Sequence, residues 1–109
     1  MSDSDRLVLD AFIDNIWIEK GLSKNTLESY RSDLEQFSNW LKTKDLSFSK
    51  TAKKDILSYL SFLFKSGLGS KTVARKLSSL KSFFRYLVFK SIIQIDPSND
   101  IETPKLLKS

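Results

Sequence analysis

The chain has few residues that stop a helix, and between them its apolar residues recur every three or four positions. The only glycines are Gly21, Gly67 and Gly69, and the only prolines are Pro97 and Pro104. Long breaker-free stretches with this period favour amphipathic helices over strands. Leu9, Phe12, Ile13 and Ile16 share one face of a helix from about Asp5 to Lys20, with Ser4 or Asp3 as its cap and Gly21 at its end. Leu27, Tyr30, Leu34, Phe37 and Leu41 form the stripe of a second helix, from about Lys24 to Thr43. Ser23 is its expected N-cap, with Asn25 and Glu28 a second capping pair nearby. A third helix is expected from about Ala52 to Ser66, capped by Thr51, with Ile56, Leu57, Leu60, Leu63 and Phe64 inward and Gly67 at its exit. A fourth is expected from about Lys71 to Ile92, capped by Ser70, on the stripe Val73, Leu77, Leu80, Phe84 and Leu87. No segment alternates with period two. The expected class is all-α, a compact four-helix orthogonal bundle. The expected domain spans residues 1–95, and from Asp96 onward a turn leads into an extended linker through residues 96–109. Phe12, Trp17, Phe37, Trp40, Phe62, Phe64, Phe83 and Phe84 lie on or beside the stripes and are expected in the core.

One core of 109 residues folds alone with little to spare. The chain has no His and no Cys. Nucleophile systems built on a histidine are therefore excluded, as are zinc sites of the usual ligands and disulfides. Tyr30, Tyr59 and Tyr86 sit inside helix patterns with no histidine to serve them, so no catalytic residue, no metal and no cofactor is expected. The first residues, with Asp3 and Asp5, are acidic and unlike a signal peptide. The most apolar run, Ile56 to Phe64, is far short of the ~20 residues that span a bilayer. The expectation is a soluble, cytoplasmic protein with neither a membrane nor a small-molecule substrate as partner.

The formal net charge of +5 is unevenly spread. Asp3, Asp5, Asp10, Asp14 and Glu19 outweigh Arg6 and Lys20 before Ser23, whereas no acidic residue occurs from Ile56 to Ile95. That acid-free stretch contains Lys65, Lys71, Arg75, Lys76, Lys81, Arg85 and Lys90. A one-signed surface concentrates polyanions, and clustered Lys and Arg mark nucleic-acid binders. On a helical wheel Lys71, Arg75, Ser78, Ser79, Ser82 and Arg85 fall opposite the apolar stripe of the fourth helix. Such a face can approach a groove and donate to phosphates or base edges. A merely solvated face has the same composition. The second helix opens with Ser23, Lys24, Asn25 and Thr26, and the fourth with Ser70, Lys71 and Thr72. Helix N-termini with hydroxyls and a lysine suit a phosphate, although a plain cap uses the same residues.

Three blocks of residues bear a resemblance. Leu22, Ser23, Thr26, Tyr30, Asp33 and Leu34 meet the pattern Leu-Ser-x-x-Thr-x-x-x-Tyr-x-x-Asp-Leu. The run from Lys71 to Leu87 and the pair of turns Asp96-Pro97-Ser98 and Thr103-Pro104-Lys105-Leu106 follow in order. Together they resemble the N-terminal core-binding domain of tyrosine recombinases. Trp17-Ile18-Glu19-Lys20 is most similar to the Xer chromosome-resolution recombinases, the XerD-like ones in particular.

The resemblance implies a SAM-like four-helix bundle that forms one jaw of a clamp on duplex DNA, with its second and fourth helices toward the major groove. It also implies an absent catalytic domain with a nucleophilic tyrosine, so that this chain alone is not an enzyme while its parent breaks and rejoins DNA. The implied partners are duplex DNA and recombinase protomers in a synaptic tetramer, and the implied role of the parent is chromosome dimer resolution. Carried over position by position, the DNA-facing residues are Ser23, Lys24, Asn25, Thr26, Tyr30 and Arg31 of the second helix. Those of the fourth are Lys71, Thr72, Arg75, Lys76 and Ser79. The alternative is a helical protein–protein module, motivated by Phe62, Phe83, Val88, Phe89, Ile92 and Ile93, which together exceed what one small core readily buries.

Overall fold

The computed structural model describes residues 1–102. Thr103, Pro104, Lys105 and Leu106 of the third block, with the rest of the expected linker, lie outside the described residues. Four α-helices and a single 3₁₀ turn occur among the described residues, with no strand: α1 (Asp3–Lys20), α2 (Lys24–Thr43), the turn Phe48–Lys50, α3 (Lys53–Lys65) and α4 (Ser70–Phe89). The class is all-α, as the apolar period predicts. No helix among these residues is long and apolar enough to cross a membrane. The chain divides into two compact units, residues 1–50 and residues from 51 onward.

In the first unit α1 starts earlier than expected. Ser2, not Ser4 or Asp3, is the cap, and its Oγ accepts from the Asp5 N–H at 3.1 Å. Gly21 ends α1 in the left-handed region, at φ 59°, and donates to the Trp17 carbonyl. Ser23 caps α2 as expected. Leu9, Phe12, Ile13 and Ile16 of α1 are buried, as are Leu34, Phe37 and Leu41 of α2 and Phe48 of the turn. Phe37 stacks with Trp40 and with Phe48, at ring-centroid distances of 6.3 and 6.4 Å. Trp17 departs from the expectation and is 59% exposed. It falls about 100° from Ile16 and so turns away from the buried stripe.

Asp5 is buried within this unit, and its Oδ2 accepts from the Phe48 N–H at 3.3 Å, across 43 positions. Burial raises its pKa above the usual 3.8, against the opposing pull of that hydrogen bond and of the N-terminal ammonium. A raised carboxyl pKa means that the folded state holds the proton more tightly than the unfolded chain. Stability from Asp5 is then greatest below pH 3.8, falls as pH rises through the raised value, and is level above it. Asp5→Asn, which keeps an acceptor for Phe48, should lack this fall. Denaturant melts of both proteins from acid to neutral pH check it, and parallel curves would refute it.

In the second unit α3 is capped at Ala52, one residue beyond the expected Thr51. The Asp55 carboxylate there accepts from the Ala52 N–H at 2.8 Å. The cap of α4 is Gly69, not Ser70, which becomes its first helical residue. α4 stops at Phe89, not Ile92, because Ser91 enters the left-handed region at φ 59°. The Ile92 N–H then bonds to the Leu87 carbonyl and the Ser91 N–H to the Val88 carbonyl, both at 2.9 Å. This is the Schellman arrangement, which Gly67 also supplies after α3 and Asp45 after α2. A left-handed serine is strained where glycine is not. Ser91→Gly should therefore raise stability by roughly 0.5–1 kcal/mol, read as a shifted denaturant midpoint with unchanged slope.

The second core contains Ile56, Tyr59, Leu60 and Leu63 of α3 with Val73, Leu77, Leu80, Phe83, Phe84 and Leu87 of α4. Phe62, expected in the core, is 48% exposed, and Phe64 is only half-buried. Past α4 the Asp96 carboxylate accepts from the Ser98 N–H at 2.8 Å and from its Oγ at 2.6 Å, forming the expected turn. Ser98 and Ile101 beyond it are buried, and Asp100 pairs with Lys53 at 3.2 Å.

Candidate nucleic-acid interface

In the first unit the start of α2 brings Ser23, Lys24, Asn25 and Thr26 into one exposed turn. The Ser23 hydroxyl accepts from the Thr26 N–H at 3.2 Å and donates to the Thr26 Oγ1 at 3.0 Å. One N–H of the helix terminus is thereby satisfied. Those of Lys24 and Asn25 have no hydrogen-bond partner among the described residues. Farther along α2, Tyr30 is half-buried and meets Phe12 edge-on at 6.0 Å. Its hydroxyl has no partner among the described residues, so the ring serves the core while the oxygen stays available. Arg31 is engaged: its Nη1 donates to the Asp10 Oδ1 of α1 at 2.7 Å. At 35% and 48% side-chain exposure such a pair contributes roughly 0–1 kcal/mol after screening by solvent.

In the second unit the N-terminus of α4 is more open than that of α2. Gly69 offers no side-chain cap, so the N–H groups of Ser70, Lys71 and Thr72 have no hydrogen-bond partner among the described residues. Lys71 and Arg75 are exposed and one turn apart, and Thr72 is half-buried beside them. Lys76 and Ser79 are placed differently from what the resemblance implies. They are 6% and 5% exposed, and the Ser79 hydroxyl donates back to the Arg75 carbonyl at 3.4 Å. The reason is the width of the buried face. Beside Val73, Leu77, Leu80, Phe84 and Leu87 it takes in Lys76, Ser79, Phe83 and Tyr86, an arc of about 180° at 100° per residue.

What remains outward is a single line. Lys71, Arg75, Ser78, Ser82 and Arg85 recur at i, i+4, i+7, i+11 and i+14, and all are exposed except the half-buried Ser82. Three cations thus share the line with two small hydroxyls along about four turns, with no carboxylate on the helix to oppose them. Ser78, Ser82 and Arg85 were not among the residues carried over by resemblance. The helical wheel, not the resemblance, places them on this face. The two N-termini and this line can hold phosphates through backbone N–H groups, hydroxyls and cations, and nothing in them activates a nucleophile.

Residues 9–90 match the family described as phage integrase, N-terminal SAM-like domain. The chain is 40% identical over 104 residues to the tyrosine recombinase XerD of Pseudomonas putida, covering 95% of this chain and 35% of the relative. It is 41% identical over 106 residues to XerD of Proteus mirabilis, covering 97% and 34%. To the tyrosine recombinase XerC of Herpetosiphon aurantiacus it is 34% identical over 99 residues, covering 90% and 32%. The chain thus spans about a third of the length of the curated relatives it matches. With most of its length matched and its all-helical architecture in accord, the chain belongs to the phage integrase N-terminal SAM-like domain family.

Proposed function

We propose that the chain is the DNA-binding module of a site-specific tyrosine recombinase, and that it grips duplex DNA with α2 and α4. The observation that carries this reading is the outward line Lys71, Arg75, Ser78, Ser82 and Arg85 behind an uncapped helix N-terminus. Cations and open N–H groups fix a protein on the phosphate backbone, and small hydroxyls let the helix approach base edges. Ser23, Lys24, Asn25, Thr26 and the Tyr30 hydroxyl form the second contact set, on α2. Lys71, Thr72 and Arg75 lead the set on α4, whereas Lys76 and Ser79 support that helix from its buried side. Strand cleavage and rejoining belong to the part of the recombinase outside this chain. The recombinase acts in the cytoplasm, as protomers in a synaptic tetramer, and resolves chromosome dimers.

The test is a titration with duplex DNA across salt concentrations. About five neutralised phosphates predict that log K falls against log salt with a slope of about −4 to −5. Binding that ignores salt, or no binding at low salt, sinks the proposal. A second reading, a helical protein–protein module, is favoured by the exposure of Leu7, Ile18, Phe62, Phe89, Ile92 and Ile95. Phe83, counted toward it in the sequence, is buried instead. Under that reading Lys71→Ala/Arg75→Ala leaves association untouched. Under the first it weakens DNA binding.

A further inference from the structure

Arg31 differs from Lys24 and Lys71, its fellow cations on the candidate interface. Neither lysine has a partner among the described residues, whereas the Arg31 guanidinium already donates to Asp10 at 2.7 Å. Arg31 and Asp10 lie 21 positions apart, so the pairing is a product of how α1 and α2 pack. Both side chains keep substantial exposure, so the guanidinium can be reached from solvent.

We propose that Asp10 masks Arg31, occupying as an internal anion the place a DNA phosphate would take, and so holds down sequence-independent affinity. The inference rests on the DNA-binding reading above and concerns the regulation of that same interface. A guanidinium neutralised by its own carboxylate has no condensed DNA counterion to release in exchange. To bind a phosphate it must leave Asp10, and the stranded carboxylate then repels neighbouring phosphates within a Debye length of about 10 Å. A loosely placed duplex gives nothing to offset this. A duplex seated so that a phosphate meets the planar guanidinium with two parallel hydrogen bonds replaces the carboxylate with a stronger partner. Asp10 is thus a positioning residue: it acts on DNA through Arg31, and it penalises poorly registered complexes.

The experiment is a double-mutant cycle on DNA affinity, using the chain with Asp10→Asn, Arg31→Ala, both together, and Asp10→Glu. A labelled duplex of arbitrary sequence is titrated with each at about 50–200 mM salt. One unmasked cation at about 0.1 M salt predicts that D10N binds roughly 5–10-fold tighter, with a slope steeper by about one. R31A alone should weaken binding several-fold, because it removes no open cation but strands the Asp10 carboxylate, which then repels phosphates. R31A in the D10N background should abolish the gain, and D10E, which keeps the carboxylate, should bind like the parent. Thermal unfolding of the same samples shows whether α1 and α2 remain packed, and the salt slope is a readout that a purely structural role would not move. Should D10N unfold, Asp10→Ser carries the same expectation.

If D10N keeps parental affinity and slope, masking is wrong while the DNA-binding reading stands. A gain that survives R31A also overturns masking, since any lost acidic charge would then suffice. Absence of DNA binding by all the proteins overturns both readings together.

Discussion

Lys71→Ala/Arg75→Ala should bind duplex DNA about 100-fold more weakly than the parent chain at about 0.1 M salt. The size follows from counterion release: each neutralised phosphate contributes about 0.9 to log K per tenfold dilution of salt, so two lost contacts remove nearly two log units at about 0.1 M. The salt slope should flatten by about two in the same titrations. Both side chains are exposed on α4, one turn apart and at its open N-terminus, so the substitutions leave the core intact. Lys76→Ala is the informative contrast. Its side chain lies in the buried arc, so its loss should lower stability more than the salt slope. A double variant that binds DNA as the parent does would remove α4 from the interface.

Phe37→Ala should destabilise the fold by about 3–5 kcal/mol, the range found when a large core ring is truncated and the cavity cannot fully collapse. Phe37 has no exposure, and its ring stacks with those of Trp40 and Phe48 at 6.3 and 6.4 Å. Truncation removes both ring contacts, so their contact energy goes with the transferred area. For a domain of this size, with about 5–15 kcal/mol in total, the loss is at least about a fifth of what holds it folded. Phe37→Leu keeps most of the volume and should cost about 1–2 kcal/mol. Denaturant unfolding measures both. Equal costs for the two substitutions would show that the bulk leucine retains counts for nothing and that the ring stack carries the whole effect.

The helices were legible because their signals are local. Ser23 caps α2 through a bond three residues away, and Gly21 and Gly67 end α1 and α3 in backbone conformations that favour glycine. The end of α4 was not legible in this way. Ser91 adopts the same left-handed turn without being glycine, so the sequence ran the helix on to Ile92. The start of α4 slipped by one residue for a related reason. Ser70 has the side chain of a cap, but Gly69 takes the extended conformation that a cap needs.

The candidate interface divides along the same line. Charge order along the chain was enough to mark α4: a helix within an acid-free stretch presents cations on any face that is not buried. Which of its residues face outward was decided by burial. The stripe runs about 80° round the wheel from Leu77 to Leu87, and burial continues past Leu87 only, through Lys76, Phe83, Ser79 and Tyr86, which withdrew Lys76 and Ser79 while leaving Arg85 out. A wheel drawn from one helix assumes a symmetric buried face, and the width of that face depends on what covers it. The Arg31–Asp10 and Asp5–Phe48 contacts join residues 21 and 43 positions apart. Periodicity and capping act within about one helical turn, so they set the four helices and the charge along each. Contacts over such separations exist only once helices have packed, so packing alone decided that Arg31 is already held by Asp10.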